Sequence, residues 1–334
     1  MEHPLPTKIA VIGGGSWATA IIKILSENDV KIRWWLRNSS DLEHIRKFHH
    51  NPRYLSGVYL NPKKVRAVGK LSEALQDAEY VVLAVPAAFI KESLKSLSPA
   101  DLQGKRIVSA IKGMIPIENL LVTDWVEKNF QVSPTHLSAI AGPCHAEEVS
   151  LEKQSYLTIA SPDLSHAAAF AQLMTCRFVT AHPITDLYGV EYCAVMKNII
   201  ALACGICHGL GYGDNFQAVL VSNAVLEIKR FLEVVYPYYR DLDGSAYLGD
   251  LLVTCYSQFS RNRTFGNMIG RGYSVQSAQM EMNMVAEGYY AVRCIHEINH
   301  TFEALMPITR ATYNILYEGS PATEEIGKLK TLLK

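Results

Sequence analysis

The chain carries no surplus of charge of either sign: of its 334 residues, 32 are Lys or Arg and 32 are Asp or Glu. This balance excludes the broad basic field of a nucleic-acid or acidic-membrane binder, so any anion must be recognised locally. The seven cysteines are odd in number and scattered, which excludes the disulfide framework of a small secreted protein and points to a reduced, cytoplasmic setting. Cys204 and Cys207 form a C-x-x-C, but no second cysteine pair and no histidine pair at metal spacing accompanies them. Core packing is therefore expected of them, and no metal site. Met-Glu-His-Pro at the start holds no basic stretch followed by an apolar one, so no export leader is expected. The longest apolar run, Ala194 to Cys207, is broken by Lys197 and Asn198. It reads as too short and too polar for a membrane span, and no stable membrane insertion is expected. Repeats and low-complexity segments are absent.

What is present is 49% apolar residues, a globular composition, in a length that suits about two domains. The first half alternates strand-like and helix-like segments. Lys8–Ile12, Val30–Leu36, Tyr80–Val85, Arg106–Ile111 and Leu137–Ala141 are short apolar runs, several ended by Gly or Pro. Tyr156–Ala160 and Phe178–Ala181 extend the series, and Trp17–Leu25 has helical spacing. Continuous apolar runs suit strands buried on both faces, and their alternation with helices implies βαβ units in a mostly parallel sheet. From Tyr188 onward the apolar spacing is mainly helical, with breaks at Gly209–Gly213 and Asp241–Gly244. The expected fold is α/β: an N-terminal Rossmann-like, doubly wound domain over residues 1–187, then an all-helical substrate-binding domain over 188–334.

Gly13-Gly14-Gly15-Ser16-Trp17-Ala18 fits the dinucleotide fingerprint G-x-G-x-x-[GA] between a strand and a helix. Gly13 would make the tight turn, Gly15 would let the backbone approach a pyrophosphate, and Ala18 would allow close helix–strand packing. The N-terminus of the helix that follows offers N–H groups and a positive dipole end to the phosphates. A strict NAD binder places an acidic residue at the end of the second strand to hold the ribose 2′-hydroxyl. Here Leu36-Arg37-Asn38-Ser39-Ser40 has none, because Asp29 comes too early and Asp41 too late. Arg37 could instead pair with a 2′-phosphate, which favours NADPH over NADH.

Lys112 and Gly142 each follow an apolar strand, at the edge where open α/β sheets bind ligands. Lys197 sits in Tyr192-Cys193-Ala194-Val195-Met196-Lys197-Asn198-Ile199-Ile200. A lysine so flanked must find a partner or lose its proton more readily, which suits a proton donor and acceptor. Asp250 and Thr254 are one helical turn apart, so Asp250 could orient a buried lysine and Thr254 bond beside it. Ser260-Arg261-Asn262-Arg263 offers convergent donors for a phosphate.

Taken in order, Gly-Gly-Gly-Ser-Trp-Ala-Thr-Ala at 13–20, Ala-Val-Pro at 84–86, Ile-Lys-Gly at 111–113, Ala-Gly-Pro at 141–143, Lys-Asn at 197–198, Gly-Asp-Leu at 249–251, Ser-Arg-Asn-Arg at 260–263, Glu-Gly at 287–288 and Met-Pro-Ile at 306–308 form a pattern. On these pieces the chain resembles the bacterial-type NAD(P)-dependent glycerol-3-phosphate dehydrogenases over nearly its full length. The resemblance implies reversible reduction of dihydroxyacetone phosphate to sn-glycerol 3-phosphate, the glycerophospholipid backbone, by NADPH or NADH. It implies a homodimer. It implies Lys197 as general acid and base, with Lys112 and Asp250 completing the catalytic set. Substrate positions would be Lys112, Gly142, Lys197, Asp250, Thr254, Ser260, Arg261 and Asn262, the phosphate falling to Arg261 and Asn262. Cofactor positions would be Gly13, Gly15, Ser16, Trp17, Arg37, Lys112, Ala146, Arg261, Val285 and Glu287.

The chain departs from the family pattern at Ala18, where Gly is more usual, and at Cys144 and His145, where a hydroxyl residue and an aromatic are commoner. The family's Gly-Leu-Gly-Asp is Tyr-Leu-Gly-Asp at 247–250. Two other classes remain at this point. One is a related two-domain dehydrogenase acting on another hydroxy or keto acid, and the other a non-catalytic dinucleotide-binding regulator.

Overall fold

A computed structural model describes residues 7–282 and 286–334. By internal packing the chain forms two units. One runs to Ile111 and resumes from Val122 to Leu187, and the other comprises Lys112–Leu121 and Tyr188–Lys334.

The first unit is built on an eight-stranded sheet. Its strands are β1 (Thr7–Ile12), β2 (Val30–Trp35), β3 (Val65–Val68), β4 (Tyr80–Leu83), β5 (Arg106–Ser109), β8 (Leu137–Ala141), β9 (Ser155–Ala160) and β10 (Val179–Ile184). Their order is β10-β9-β8-β5-β4-β1-β2-β3. Every neighbouring pair is parallel except β8 with β9. All residues of β4 and β8 are buried, as their unbroken apolar runs require of strands covered on both faces. β3 has no counterpart in the sequence reading. It is a four-residue edge strand whose Arg66 is exposed, too short for its alternation to stand out from a loop.

The order of the sheet places the glycine-rich loop. β1 pairs with β2 on one side and with β4 on the other, so the chain reverses its direction of progress across the sheet beside β1. Such a switch point opens a crevice at the carboxyl ends of the strands. Gly13 lies there with φ +134°, and a Cβ on it would stand 2.2 Å from the carbonyl oxygen of Ala84 just after β4. Only glycine fits this position.

Among the described residues, the second unit is helical apart from a small antiparallel hairpin, β6 (Met114–Ile115) with β7 (Leu120–Leu121). Met114 and Leu121 are buried in its core. Its axis is the helix Leu187–Gly209, whose 23 residues correct the expectation from the Ala194–Cys207 run alone. Once the flanking turns are included, the helix is long and apolar enough to cross a membrane, yet it is almost wholly buried inside the structure. It reads as hydrophobic all round because it is the core of the unit. Cys204 and Cys207 belong to that core as free thiols, and burial pushes the Cys207 thiol up to about 12. Protonated, apolar packing follows.

This helix and the helix Arg261–Gly270 approach backbone to backbone through glycines on both. A Cβ on Gly205 would lie 2.1 Å from the Arg263 carbonyl oxygen, and one on Gly266 would lie 2.1 Å from that of Leu202. Gly209 and Gly270 meet the facing helix in the same way. Alanine at Gly266 would gain helix propensity but force the helices apart, and overpacking of this kind costs about 1–3 kcal/mol. Gly266→Ala is therefore expected to lower the midpoint of denaturant unfolding. An unchanged midpoint would mean that the helices separate at no cost.

Candidate active site

The helix Leu187–Gly209 carries Lys197 into the second unit's interior, where its side chain is only 5% exposed. The partner that such a lysine needs is Asp250. This residue opens the helix Asp250–Tyr256 after the π-helical turn Ser245–Gly249, and its side chain is 2% exposed. One carboxylate oxygen of Asp250 pairs with the Lys197 ammonium, and the other lies 3.5 Å from Nζ of Lys112. Lys112 is 18% exposed and enters the unit just ahead of the β6–β7 hairpin. Burial is the main influence on Lys197 and, aided by the neighbouring Lys112 charge, lowers its pKa from 10.5 to about 7 against the opposing pull of Asp250. A buried ammonium that shares one carboxylate with a second cation is poised to exchange a proton near neutrality.

A chain of amides holds the lysines in register. Asn198, next to Lys197, donates from Nδ2 to the carbonyl oxygen of Lys112 at 2.7 Å. Its own oxygen accepts from Nδ2 of Asn262 at 2.9 Å, and the Asn262 oxygen accepts from the N–H of Gly288 at 2.9 Å. Gly288 sits in the first turn of the helix Glu287–Phe302, where N–H groups lack intrahelical partners. A Cβ at Gly288 would lie 2.6 Å from the Asn198 carbonyl oxygen, so glycine lets this helix end reach the relay. In the sequence Asn198 enters only with Lys197, as the Lys-Asn piece at 197–198, because a polar residue beside a lysine carries no periodic signal of its own.

The other expected residues of this unit are distributed as follows. The Thr254 hydroxyl donates to the Asp250 carbonyl oxygen at 2.6 Å, closing the helical turn under the carboxylate. Ser260 caps the helix Arg261–Gly270, its hydroxyl accepting from the N–H of Arg263 at 3.3 Å. Arg261 is exposed on the first turn of that helix. Asn262 is buried, with its oxygen and one nitrogen hydrogen used in the amide chain. Glu287 begins the helix that ends the relay. Val285 lies outside the described residues. Met306-Pro307-Ile308 belongs to a structural feature: the buried Glu227 carboxylate accepts from the N–H groups of Ile308 and Thr309 and caps the helix Pro307–Tyr317.

In the first unit, Gly13–Gly15 lead directly from β1 into the helix Ser16–Ser26, which starts without a side-chain cap. A Cβ on Gly15 would meet no protein atom within 4 Å. An open glycine beside an uncapped helix start is what a pyrophosphate needs, since the first-turn N–H groups have no intrahelical acceptors. The residues therefore fit a dinucleotide. Ala18 is fully buried against the sheet, as the fingerprint demands, and Ser16 and Trp17 occupy the first turn. Arg37 is exposed just after β2. Asp41, the nearest acidic residue beyond it, is buried and paired with Arg53. Gly142 turns the chain after β8 with φ +118°, where a Cβ would stand 2.6 Å from the Tyr156 carbonyl oxygen. Cys144 donates its thiol to that same oxygen at 3.2 Å. Ala146 is packed in the core, so its side chain has a structural task.

A sequence model of the NAD-dependent glycerol-3-phosphate dehydrogenase N-terminus matches residues 8–167, and one of the same family's C-terminus matches residues 186–327. The chain belongs to this family. A glycerol-3-phosphate dehydrogenase [NAD(P)+] from Bacillus cereus is 35% identical over 97% of this chain and 95% of its own length. One from Chlorobium chlorochromatii is 34% identical over 95% of this chain and 96% of its own. The crystal structure of glycerol-3-phosphate dehydrogenase from Coxiella burnetii superposes with a TM-score of 0.91 at 28% identity, covering 98% of this chain and 99% of that one.

Removing the shared carboxylate should expose what it balances. In Asp250→Ala, Lys197 and Lys112 face each other uncompensated, and breaking a buried pair in this way costs about 3–5 kcal/mol. The folded pKa of Lys197 lies below its unfolded value, so the unfolded state holds the extra proton between about 7 and 10.5 and stability rises with pH in that window. The gap between wild type and variant should therefore be widest below about pH 7 and narrow above it as Lys197 loses its charge. Denaturant unfolding at both ends of the range checks this, and a gap independent of pH would detach Asp250 from the Lys197 charge.

Proposed function

We propose that this chain reduces dihydroxyacetone phosphate to sn-glycerol 3-phosphate at the expense of NADPH or NADH, and runs the reverse reaction when product accumulates. The observation that carries the reading is the convergence of Lys112 and Lys197 on the buried carboxylate of Asp250, in a chain of this family. The bound reduced nicotinamide supplies the hydride to C2 of the ketone. Lys197, as ammonium, donates the proton that the C2 oxygen gains. Lys112 adds positive charge beside the same oxygen, so that negative charge developing there is met by fixed cations. Asp250 keeps the Lys197 Nζ in place and sustains enough of its charge for the proton to be present near neutrality. In alcohol oxidation neutral Lys197 accepts the proton.

Arg261 and the first-turn N–H groups of its helix suit the substrate phosphate, because a helix start and a guanidinium both favour an oxyanion. NADPH is the preferred cofactor on the same physical grounds. Arg37 is exposed at the end of β2, and the carboxylate of Asp41 is taken up by Arg53. The reading extends to a cytoplasmic homodimer whose product feeds glycerophospholipid synthesis, as the family resemblance implies.

The deciding measurement is consumption of NADPH and of NADH by the purified chain with dihydroxyacetone phosphate, with ketopantoate and other 2-keto acids as controls. Turnover confined to the keto acids, or none, would overturn the proposal. Lys197→Ala should lower kcat by about a hundredfold or more, since proton transfer and charge stabilisation are both lost. In wild type, kcat/KM for alcohol oxidation should rise with pH through about 7, where Lys197 becomes neutral, and kcat/KM for ketone reduction should fall across the same range. Arg261→Ala should raise KM for dihydroxyacetone phosphate by about ten- to a hundredfold, the worth of a hydrogen bond to a charged group. An unchanged KM would remove Arg261 from the phosphate.

A further inference from the structure

Asn51 is 1% exposed, yet it lies in the irregular stretch between the helix Ser39–Phe48 and β3. Its side chain is used at both ends. The amide nitrogen donates to the Gly14 carbonyl oxygen at 3.1 Å and to the Thr19 hydroxyl at 2.9 Å. The amide oxygen accepts from the N–H groups of Arg53 at 3.0 Å and Tyr54 at 3.2 Å. An asparagine side chain has two donor hydrogens and two acceptor lone pairs, so its hydrogen-bonding capacity is exhausted. The Thr19 hydroxyl in turn donates to the Gly15 carbonyl oxygen at 3.0 Å, which also accepts from the Thr19 N–H.

Gly14 and Gly15 are the residues between the tight turn at Gly13 and the first helical turn. In a trans peptide the C=O and the following N–H point in opposite directions. Holding the Gly14 carbonyl inward therefore turns the Gly15 N–H outward, and holding the Gly15 carbonyl does the same for the N–H of Ser16. Those are donors that the dinucleotide reading assigns to the pyrophosphate. Glycine peptides are the ones least able to hold such an orientation unaided.

We infer that Asn51 is a positioning residue for dinucleotide binding: through Gly14 and Thr19 it locks the peptide planes of the glycine loop with their N–H groups facing the pyrophosphate. The inference rests on the dinucleotide-binding part of the proposed function and not on the identity of the ketone. Asn51→Asp separates its two halves, because the carboxylate still accepts from Arg53 and Tyr54 but donates nothing to the loop.

The test uses the full chain and NADPH, with Kd from nucleotide fluorescence and with kcat and KM from turnover. In Asn51→Asp, Kd and KM for NADPH should rise by about tenfold or more through loss of two buried hydrogen bonds. The kcat at saturating NADPH and the KM for dihydroxyacetone phosphate should stay within about twofold, since a loop-positioning role removes binding rather than transition-state interactions. Thr19→Val should weaken NADPH binding in the same direction, Thr19→Ser should restore it, and the Asn51→Asp and Thr19→Val effects should be non-additive. A folded Asn51→Asp with unchanged Kd overturns the inference, even with a lowered unfolding midpoint. Should Asn51→Asp fail to fold, an unchanged Kd in Thr19→Val overturns it instead. If wild type binds NADPH but does not reduce the ketone, the substrate assignment falls and the Kd comparison still decides the role of Asn51. If wild type binds neither dinucleotide, both fall together.

Discussion

The carboxylate of Asp250, shut away from water between two ammonium groups, is the constraint around which the helical unit is organised. A lone buried lysine would lose its proton or unfold its surroundings. Asp250 lets Lys197 stay inside with its pKa lowered only to about 7, the range in which it can both give and take a proton. This demand reaches outward through the backbone. Lys112 arrives from a loop, Lys197 from the middle of the longest helix and Asp250 from the start of a short one. Each must be held to within a fraction of an ångström for one carboxylate to serve both cations.

That precision comes from close backbone packing. Gly205, Gly209, Gly266 and Gly270 let two helices touch main chain to main chain, and such contacts tolerate little sliding. The Asn198–Asn262–Gly288 amide chain ties the same helices to the Lys112 backbone. Residues that looked like phosphate ligands in the sequence thus divide their labour. Arg261 remains exposed at the helix start, whereas the Asn262 side chain is largely spent on architecture. In the glycine-rich loop the same logic recurs in miniature, where glycines grant close approach and the buried Asn51 amide holds the Gly14 carbonyl.

The strands and the glycine fingerprint were legible because their signals are local: apolar runs of strand length, a turn glycine, a helical spacing that follows at once. The lysine in an apolar helix was legible because its flanks are incompatible with an unpartnered charge. Asn51 and Glu227 were not, because nothing nearby in the chain tells a buried, fully bonded polar residue from a solvated one. β3 was missed for a related reason, since four residues with one exposed Arg do not differ from a loop until a neighbouring strand pairs with them. The long apolar helix was misjudged for the opposite reason: its flanking turns lengthen it to span size, and only the packing around it shows that protein rather than lipid covers it.

By itself, then, the order of residues determined the doubly wound sheet followed by helices, the glycine-rich loop at its first turn, and the need of Lys197 for a partner. Each of these follows from short-range sterics and periodic burial, which act between residues close in the chain. Tertiary structure alone decided that the carboxylate of Asp250, the partner the sequence offered, is shared between Lys197 and Lys112, that Asn262 bonds within the scaffold, and that Asn51 fastens the glycine loop. Those outcomes depend on atoms 32 to 138 residues apart meeting within hydrogen-bond distance, and the geometry of such meetings is set by helix and strand packing, not by sequence neighbourhood.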